Sequence, residues 1–187
     1  MRLYTIGHST RTWEELLDLL RAHRIRVLVD VRSWPVSGRF PHFDRERLEE
    51  SLAGAGIEYV WIGDSLGGYR KEGLGKSSPN TWWESEGFRN YADHMRTPPF
   101  KQGVDCLLRV AGKGSTAIMC AERFYWRCHR RLISDYLKAQ GHEVTHVVDR
   151  DNTREHKLAE CIHIIDGDLL YVKDSPGSHS RLGRLKP

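Results

Sequence analysis

The chain has 187 residues, 39% hydrophobic and 29% charged, with a formal net charge of +4. That balance excludes disordered and fibrous classes and fits one globular domain with a single core. No apolar run approaches the roughly 18 to 20 residues that a membrane span needs.

Met1-Arg2-Leu3-Tyr4-Thr5 enters a strand pattern at once and does not read as a signal peptide. The four cysteines, Cys106, Cys120, Cys128 and Cys161, come with no other sign of secretion. Reduced thiols in a cytoplasmic protein are therefore expected.

Arg2–Gly7 is a short apolar run and predicts a buried strand. Ser9 or Thr10 is positioned to cap a helix carrying Trp13, Leu16, Leu17 and Leu20. Arg26–Val31 predicts a second strand. Asp44 can cap a helix with Leu48 and Leu52 inward, ended by Gly54 and Gly56. Ile57–Ile62 predicts a third strand. The long segment Gly63–Glu84, rich in Gly, Lys and Ser, predicts a functional loop.

Phe88, Tyr91, Ala92 and Met95 mark another helix, which Pro98 and Pro99 break. Val104, Leu107, Leu108 and Ala111 mark the next. Ser115–Cys120 predicts a fourth strand, Arg127–Gln140 a helix and Glu143–Asp149 a fifth strand. Ile162–Ile165 and Leu169–Val172, separated by Asp166-Gly167-Asp168, predict a terminal hairpin.

Strands alternating with helices imply an α/β, three-layer, Rossmann-like fold. Its sheet is mostly parallel, with helices on both faces. One domain is expected over residues 1–174, with a flexible basic tail over 175–187. In such sheets ligands bind beyond the carboxyl ends of the strands. That rule selects the loops at Gly7–Thr10, Val31–Phe43, Gly63–Gly75 and Cys120–Arg127.

The richest stretch runs from Met119-Cys120-Ala121-Glu122 to Arg127-Cys128-His129-Arg130-Arg131. It lies where a strand ends and a helix begins, a place that favours anions and thiolates. Cys120 is the candidate nucleophile and Glu122 the candidate acid or base. A packed core thiol and a structural ion pair are their bland counterparts. Leu132, Ile133 and Tyr136 define the buried helix face, which turns His129 inward beside Cys128. The same spacing sends Arg130 and Arg131 to the flanks to grip a ligand.

His8 and Ser9 follow the first strand, and Asp30 is positioned to orient Arg32 at the end of the second. Adjacent helical residues diverge by about 100°. A metal shared by Cys128 and His129 is therefore not expected. No GxGxxG, P-loop, G-x-S-x-G or H-E-x-x-H motif is present, so no cofactor is expected either.

Taken in order, these residues carry a resemblance. Thr5-Ile6-Gly7-His8-Ser9, Asp30-Val31-Arg32, Gly38-Arg39-Phe40-Pro41-His42-Phe43 and Leu66-Gly67-Gly68-Tyr69-Arg70 are its first parts. Met119-Cys120-Ala121-Glu122 and Trp126-Arg127-Cys128-His129-Arg130 complete it. Together they resemble the family known as domain of unknown function 488, over nearly the whole chain. The resemblance implies site residues His8, Ser9, Asp30, Arg32, Arg39, Gly67, Gly68, Arg70, Cys120, Glu122, Cys128, His129 and Arg130. Phe124-Tyr125 departs from it, standing where smaller, polar residues are expected. It makes the mouth more aromatic and able to stack a base.

The functional expectation is a domain that binds a nucleotide-like or nucleic-acid-derived anion. If it also processes that ligand, it is a hydrolase or transferase. Two alternatives stand beside it: a non-catalytic nucleic-acid-binding module that stacks single-stranded bases, and a rhodanese-like thiol enzyme. No membrane partner is expected.

Overall fold

The computed structural model describes residues 1–173. Residue 174 and the expected basic tail over 175–187 lie outside the described residues. Six strands form the main sheet: β1 (Arg2–Gly7), β2 (Val27–Asp30), β3 (Glu58–Trp61), β4 (Thr116–Cys120), β5 (Glu143–Asp149) and β6 (Asn152–Glu155). Their spatial order is β3-β2-β4-β1-β5-β6. Every pairing is parallel except that of β5 with β6. A separate antiparallel hairpin, β7 (Ile162–Ile165) and β8 (Asp168–Tyr171), follows.

The helices are α1 (Trp13–Ala22), α2 (Arg45–Gly54), α3 (Gly63–Leu66), α4 (Glu86–His94), α5 (Pro98–Ala111) and α6 (Arg130–Ala139). None of the described helices is long and apolar enough to cross a membrane.

Strand side chains alternate between faces, and the apolar residues divide accordingly. Leu3, Val27, Val29 and Ile118 pack with Tyr91, Leu107, Leu132 and Ile133, so one face is covered by α4, α5 and α6. Ile6, Leu28, Ala117 and Met119 pack with Leu16, Leu20, Leu48 and Leu52 beneath α1 and α2. The fold is thus α/β with helices on both faces and a C-terminal hairpin, as the sequence pattern implies.

Local chemistry moves several boundaries. Thr12, rather than Ser9 or Thr10, caps α1, in a reciprocal capping box with Glu15. Asp44 stands at the cap position of α2 but its carboxylate accepts from the Ser37 N–H instead. Pro98 and Pro99 occupy the first turn of α5, where proline needs no N–H partner, so they start that helix. Helix α6 starts at Arg130, not Arg127. Residues Tyr125–Arg127 form a single 3-10 turn and Cys128 is extended (φ −135, ψ 149).

The long segment after β3 is an anchored wall. Asp93 on α4 accepts from Ser78 Oγ (2.6 Å), Asn80 Nδ2 (2.8 Å) and the Leu74 N–H (2.9 Å). Asn80 Oδ1 in turn accepts from the Tyr171 N–H at 3.0 Å, tying the segment to the hairpin.

A buried polar chain links five parts of the fold. Asp135 on α6 accepts from His156 Nε2 and from the Tyr171 hydroxyl, each at 2.9 Å. His156 Nδ1 faces His146 Nε2 at 2.9 Å, and His146 Nδ1 faces Thr5 Oγ1 at 2.7 Å. With both rings neutral, every proton points toward Asp135 and all members are satisfied. Burial, then the neighbouring His156 and Arg130, push the His146 pKa strongly down, consistent with a neutral ring.

Asp135→Ala is expected to leave the His156 and Tyr171 donors unpaired. The cost should be about 2 to 6 kcal/mol, at about 1 to 3 per buried orphan. Urea unfolding at pH 7 measures it, and a loss below about 1 kcal/mol would show that the chain of bonds is not a cross-link.

Candidate functional site

The connection from β1 runs toward β2 and the one from β4 runs toward β5, so β1 and β4 flank the point where the chain reverses its direction of winding. Ligands collect at the carboxyl edge of such a point. Gly7 pairs with Cys120 at the end of this ladder. A Cβ at Gly7 would collide with the Glu122 carbonyl oxygen, so only glycine lets the two strand ends approach. Beyond it the His8 and Ser9 N–H groups donate to the Cys120 and Ala121 carbonyls at 3.0 and 2.9 Å, with Ser9 at a positive φ of 52.

His129, at the cap of α6, turns its ring back toward β2. Its Nε2 lies 3.1 Å from the Val31 carbonyl oxygen, which can only accept, so Nε2 carries a proton. The other nitrogen, Nδ1, faces two thiols: Cys128 Sγ at 3.5 Å and Cys120 Sγ at 3.9 Å. A Cβ at Gly68 would run into that Nδ1 edge, so the second glycine of Gly67-Gly68 keeps the imidazole uncovered. Gly67 is needed for a different approach, against Gly63 and Ser33.

Arg130 departs most from expectation. Helix α6 is buried on nearly every side, and Arg130 is the largest fully buried side chain, not a flank residue. Its guanidinium donates to the Glu122 carbonyl, to the Arg123 carbonyl at 3.3 Å and, through Nε, to Cys128 Sγ at 3.4 Å.

Among the described residues no carboxylate meets Arg130. The ionisable group beside it is the Cys128 thiol. Burial pushes that thiol up, but the Cys120 thiol, His129 and Arg130 outweigh burial and hold it well below the ordinary thiol range. Cys120 moves the other way. Its hydrogen bond with Cys128 and its burial raise it. The two thiols are thus pushed in opposite directions, Cys128 toward the thiolate and Cys120 toward the thiol.

His8 is held in one state. Its Nδ1 lies 3.1 Å from the Ser9 carbonyl and its Nε2 accepts from Arg32 at 3.3 Å. Burial, then the Arg32 charge, lower its pKa to about 4. Arg32 is gripped by buried Asp30 through Nε (2.9 and 3.0 Å) and Nη2 (2.6 Å), and Tyr59 also donates to Asp30 at 2.8 Å. Asp30 does orient Arg32, as the sequence implied, and the pair leaves that guanidinium little freedom for a ligand.

Several arginines near the site are engaged within the protein. Arg70 donates to the Asp64 and Ser65 carbonyls at the end of α3. Arg123 pairs with Asp149. Arg39 is exposed beside the Phe40 ring and lines neither of the clefts described next.

A cleft of about 560 Å³ opens over the thiols; Tyr69, Phe88, Tyr91, Glu122, Arg127 and His129 are among its walls. A smaller one of about 290 Å³ lies beyond, with His8, Arg32 and Trp34. Gly68, Tyr69, Cys120, Ala121 and His129 belong to both. Cys120, Glu122, Gly68, Cys128 and His129 thus meet in one place, with His8 and Arg32 next door. Ser9, Asp30, Gly67, Arg70 and Arg130 support the walls.

Tyr91 and Tyr69 were not singled out from the sequence. Tyr91 sits in a helical apolar pattern that reads as core. Tyr125, expected to stack a ligand base, instead stacks on His146 at 3.4 Å and pins the turn before Cys128. Cys120, Cys128 and His129 also form the one Cys/His/carboxylate group with metal-like spacing among the described residues, their atoms lying within 4.8 Å of one another. Helical divergence does not separate Cys128 from His129, because Cys128 is not helical.

The family model described as "Domain of unknown function DUF488" matches residues 12–137. The chain belongs to that family. No curated protein and no solved structure matches it. The matched span of the DUF488 domain holds α1 through most of α6, and with them Cys106, Cys120, Cys128, Glu122, His129 and Arg130. His8 and Ser9 lie before it.

Because folding depresses the His8 pKa, its contribution is present above the unfolded value of about 6.5 and is lost as pH falls toward about 4. The loss amounts to at most about 3.5 kcal/mol at about 1.4 per pH unit. Urea midpoints at pH 7 and pH 4.5 should fall further for the native chain than for His8→Gln. Equal falls would mean that His8 protonates freely in the folded state.

Proposed function

We propose that this DUF488 domain is a thiol enzyme, a transferase or hydrolase, acting on a small ring-bearing anion of the nucleotide-like class. The carrying observation is the buried Arg130 guanidinium, which meets Cys128 Sγ and, among the described residues, no carboxylate. A buried charge without a counter-charge is costly, and a Cys128 thiolate supplies one.

In this reading Cys128 attacks the electrophilic atom of the substrate. The bond to the leaving group breaks, and the leaving group departs with the electron pair. Glu122, exposed and on the cleft wall, is the group placed to pass it a proton. The His129 ring stands beside the sulfur, with Nδ1 3.5 Å away, while the Val31 carbonyl holds its Nε2 proton. Tyr69, Phe88 and Tyr91 offer ring surfaces and Arg127 a cation for the anionic end.

The internal engagement of Arg32, Arg70, Arg123 and Arg130 weighs against a module that binds nucleic acid through its backbone, which depends on many free cations.

Alkylation of the native protein with limiting iodoacetamide in the presence of a chelator, followed by peptide mass mapping from pH 5 to 9, tests the reading. The Cys128 rate should reach half its plateau well below the ordinary thiol value of about 8.5. Arg130→Met, checked for native circular dichroism, should move that midpoint upward. A Cys128 rate that climbs through pH 8 in parallel with Cys106 would retire the thiolate assignment.

A further inference from the structure

We propose that Cys120 is the resolving thiol for Cys128, so that the site reduces small-molecule disulfides and closes a Cys120–Cys128 bond. This rests on the thiolate reading above and adds a substrate class, the low-molecular-weight disulfide, together with a role for the second cysteine.

Three observations carry it. The two sulfurs lie within 4.8 Å of each other, against about 2.05 Å in a formed disulfide. They share one imidazole nitrogen, His129 Nδ1, at 3.5 and 3.9 Å, and the Val31 carbonyl keeps that nitrogen able to accept a proton. Cys120 lines both clefts and Cys128 only the larger, so Cys120 stands beside the path of any molecule that reaches Cys128. The ends are anchored differently. Cys120 is fixed in the β1–β4 ladder, whereas Cys128 lies in an extended residue between a 3-10 turn and α6.

The exchange balances. The Cys128 thiolate attacks one sulfur of R–S–S–R; that S–S bond breaks and RS⁻ leaves. Cys120 then gives its proton to His129 Nδ1 and attacks Cys128 Sγ. The mixed disulfide breaks, and the second RS⁻ leaves and takes up the proton held on His129. The protein dithiol is oxidised by two electrons, and the small disulfide is reduced to two thiol-level products. A thiol reductant such as dithiothreitol reverses it. The opposite shifts of the two groups suit the two steps, since the attacking thiol is ionised first and the resolving thiol is held protonated until its turn.

The aromatic walls make 4,4′-dithiodipyridine a suitable probe. On full-length protein in a Cys106→Ser background, the fast phase should release two molecules of thiopyridone per chain. The product should have lost two hydrogens in mass, with the Cys120 and Cys128 peptides cross-linked. Cys120→Ser should release one molecule in the fast phase and retain a thiopyridyl adduct on Cys128. Cys128→Ser should lose the fast phase.

If the protein with both cysteines instead stops at a stable Cys128 adduct, the resolving role is overturned while the thiolate reading stands. If Cys128 reacts no faster than a thiol in the urea-unfolded chain, both fail. Melting curves of each variant separate chemical loss from unfolding.

Discussion

The structure around the site depends on one buried cation. Arg130 enters the interior at the first turn of α6, where its guanidinium holds the carbonyls of Glu122 and Arg123. Those carbonyls belong to the chain leaving β4, so a single side chain clamps the loop between strand and helix from inside. The same group contacts Cys128, so the loop's shape and the thiol's charge state are not independent. Gly7 allows the clamp to close by letting β1 run against the Glu122 carbonyl. Tyr125, stacked on His146, holds the far side of the same loop and connects it to the buried chain ending at Asp135 on α6. Strand, loop and helix therefore close a circle in which each contact fixes the next.

Much of the fold was legible because the central strands are uninterrupted apolar runs bounded by glycine or charged residues. β1, β5 and the first hairpin strand fall where the apolar pattern places them. The edge strand β6 was not legible. All four of its residues are exposed and polar, and only backbone pairing with β5 makes Asn152–Glu155 a strand. The start of α6 was misplaced for a tertiary reason. Nothing local tells Tyr125–Arg127 to stop short of a helix, whereas the remote His146 ring does. The burial of Arg130 followed from the same oversight. A helix with one wet face would put it on a flank, but α6 is enclosed between the sheet and the C-terminal hairpin and has no such face near its start.

At the site, residue types were legible and roles were not. A cysteine at a strand end and a Cys-His-Arg run at a helix start announce chemistry by position. Which sulfur carries charge depends on distances to Nδ1 and to one guanidinium, and these are set by folding. The arginines show the same limit. Arg32, Arg70 and Arg130 read as site residues, and in the fold each has a local acceptor, Asp30 or backbone carbonyls. Gly68 lies in a pair whose sequence signal is weak. Its meaning is steric and exists only once His129 has been brought against it.

Asp93, far from the chemistry, has a consequence for how the cleft treats what enters it. Its carboxylate gathers three donors from the long segment after β3, and that segment is roped to the hairpin through Asn80. The wall carrying Tyr69 continues directly into this moored stretch. A ligand entering a cleft with such a wall has little ordering entropy to offset on that side. Discrimination there should then come from shape, with molecules of the wrong outline rejected rather than accommodated.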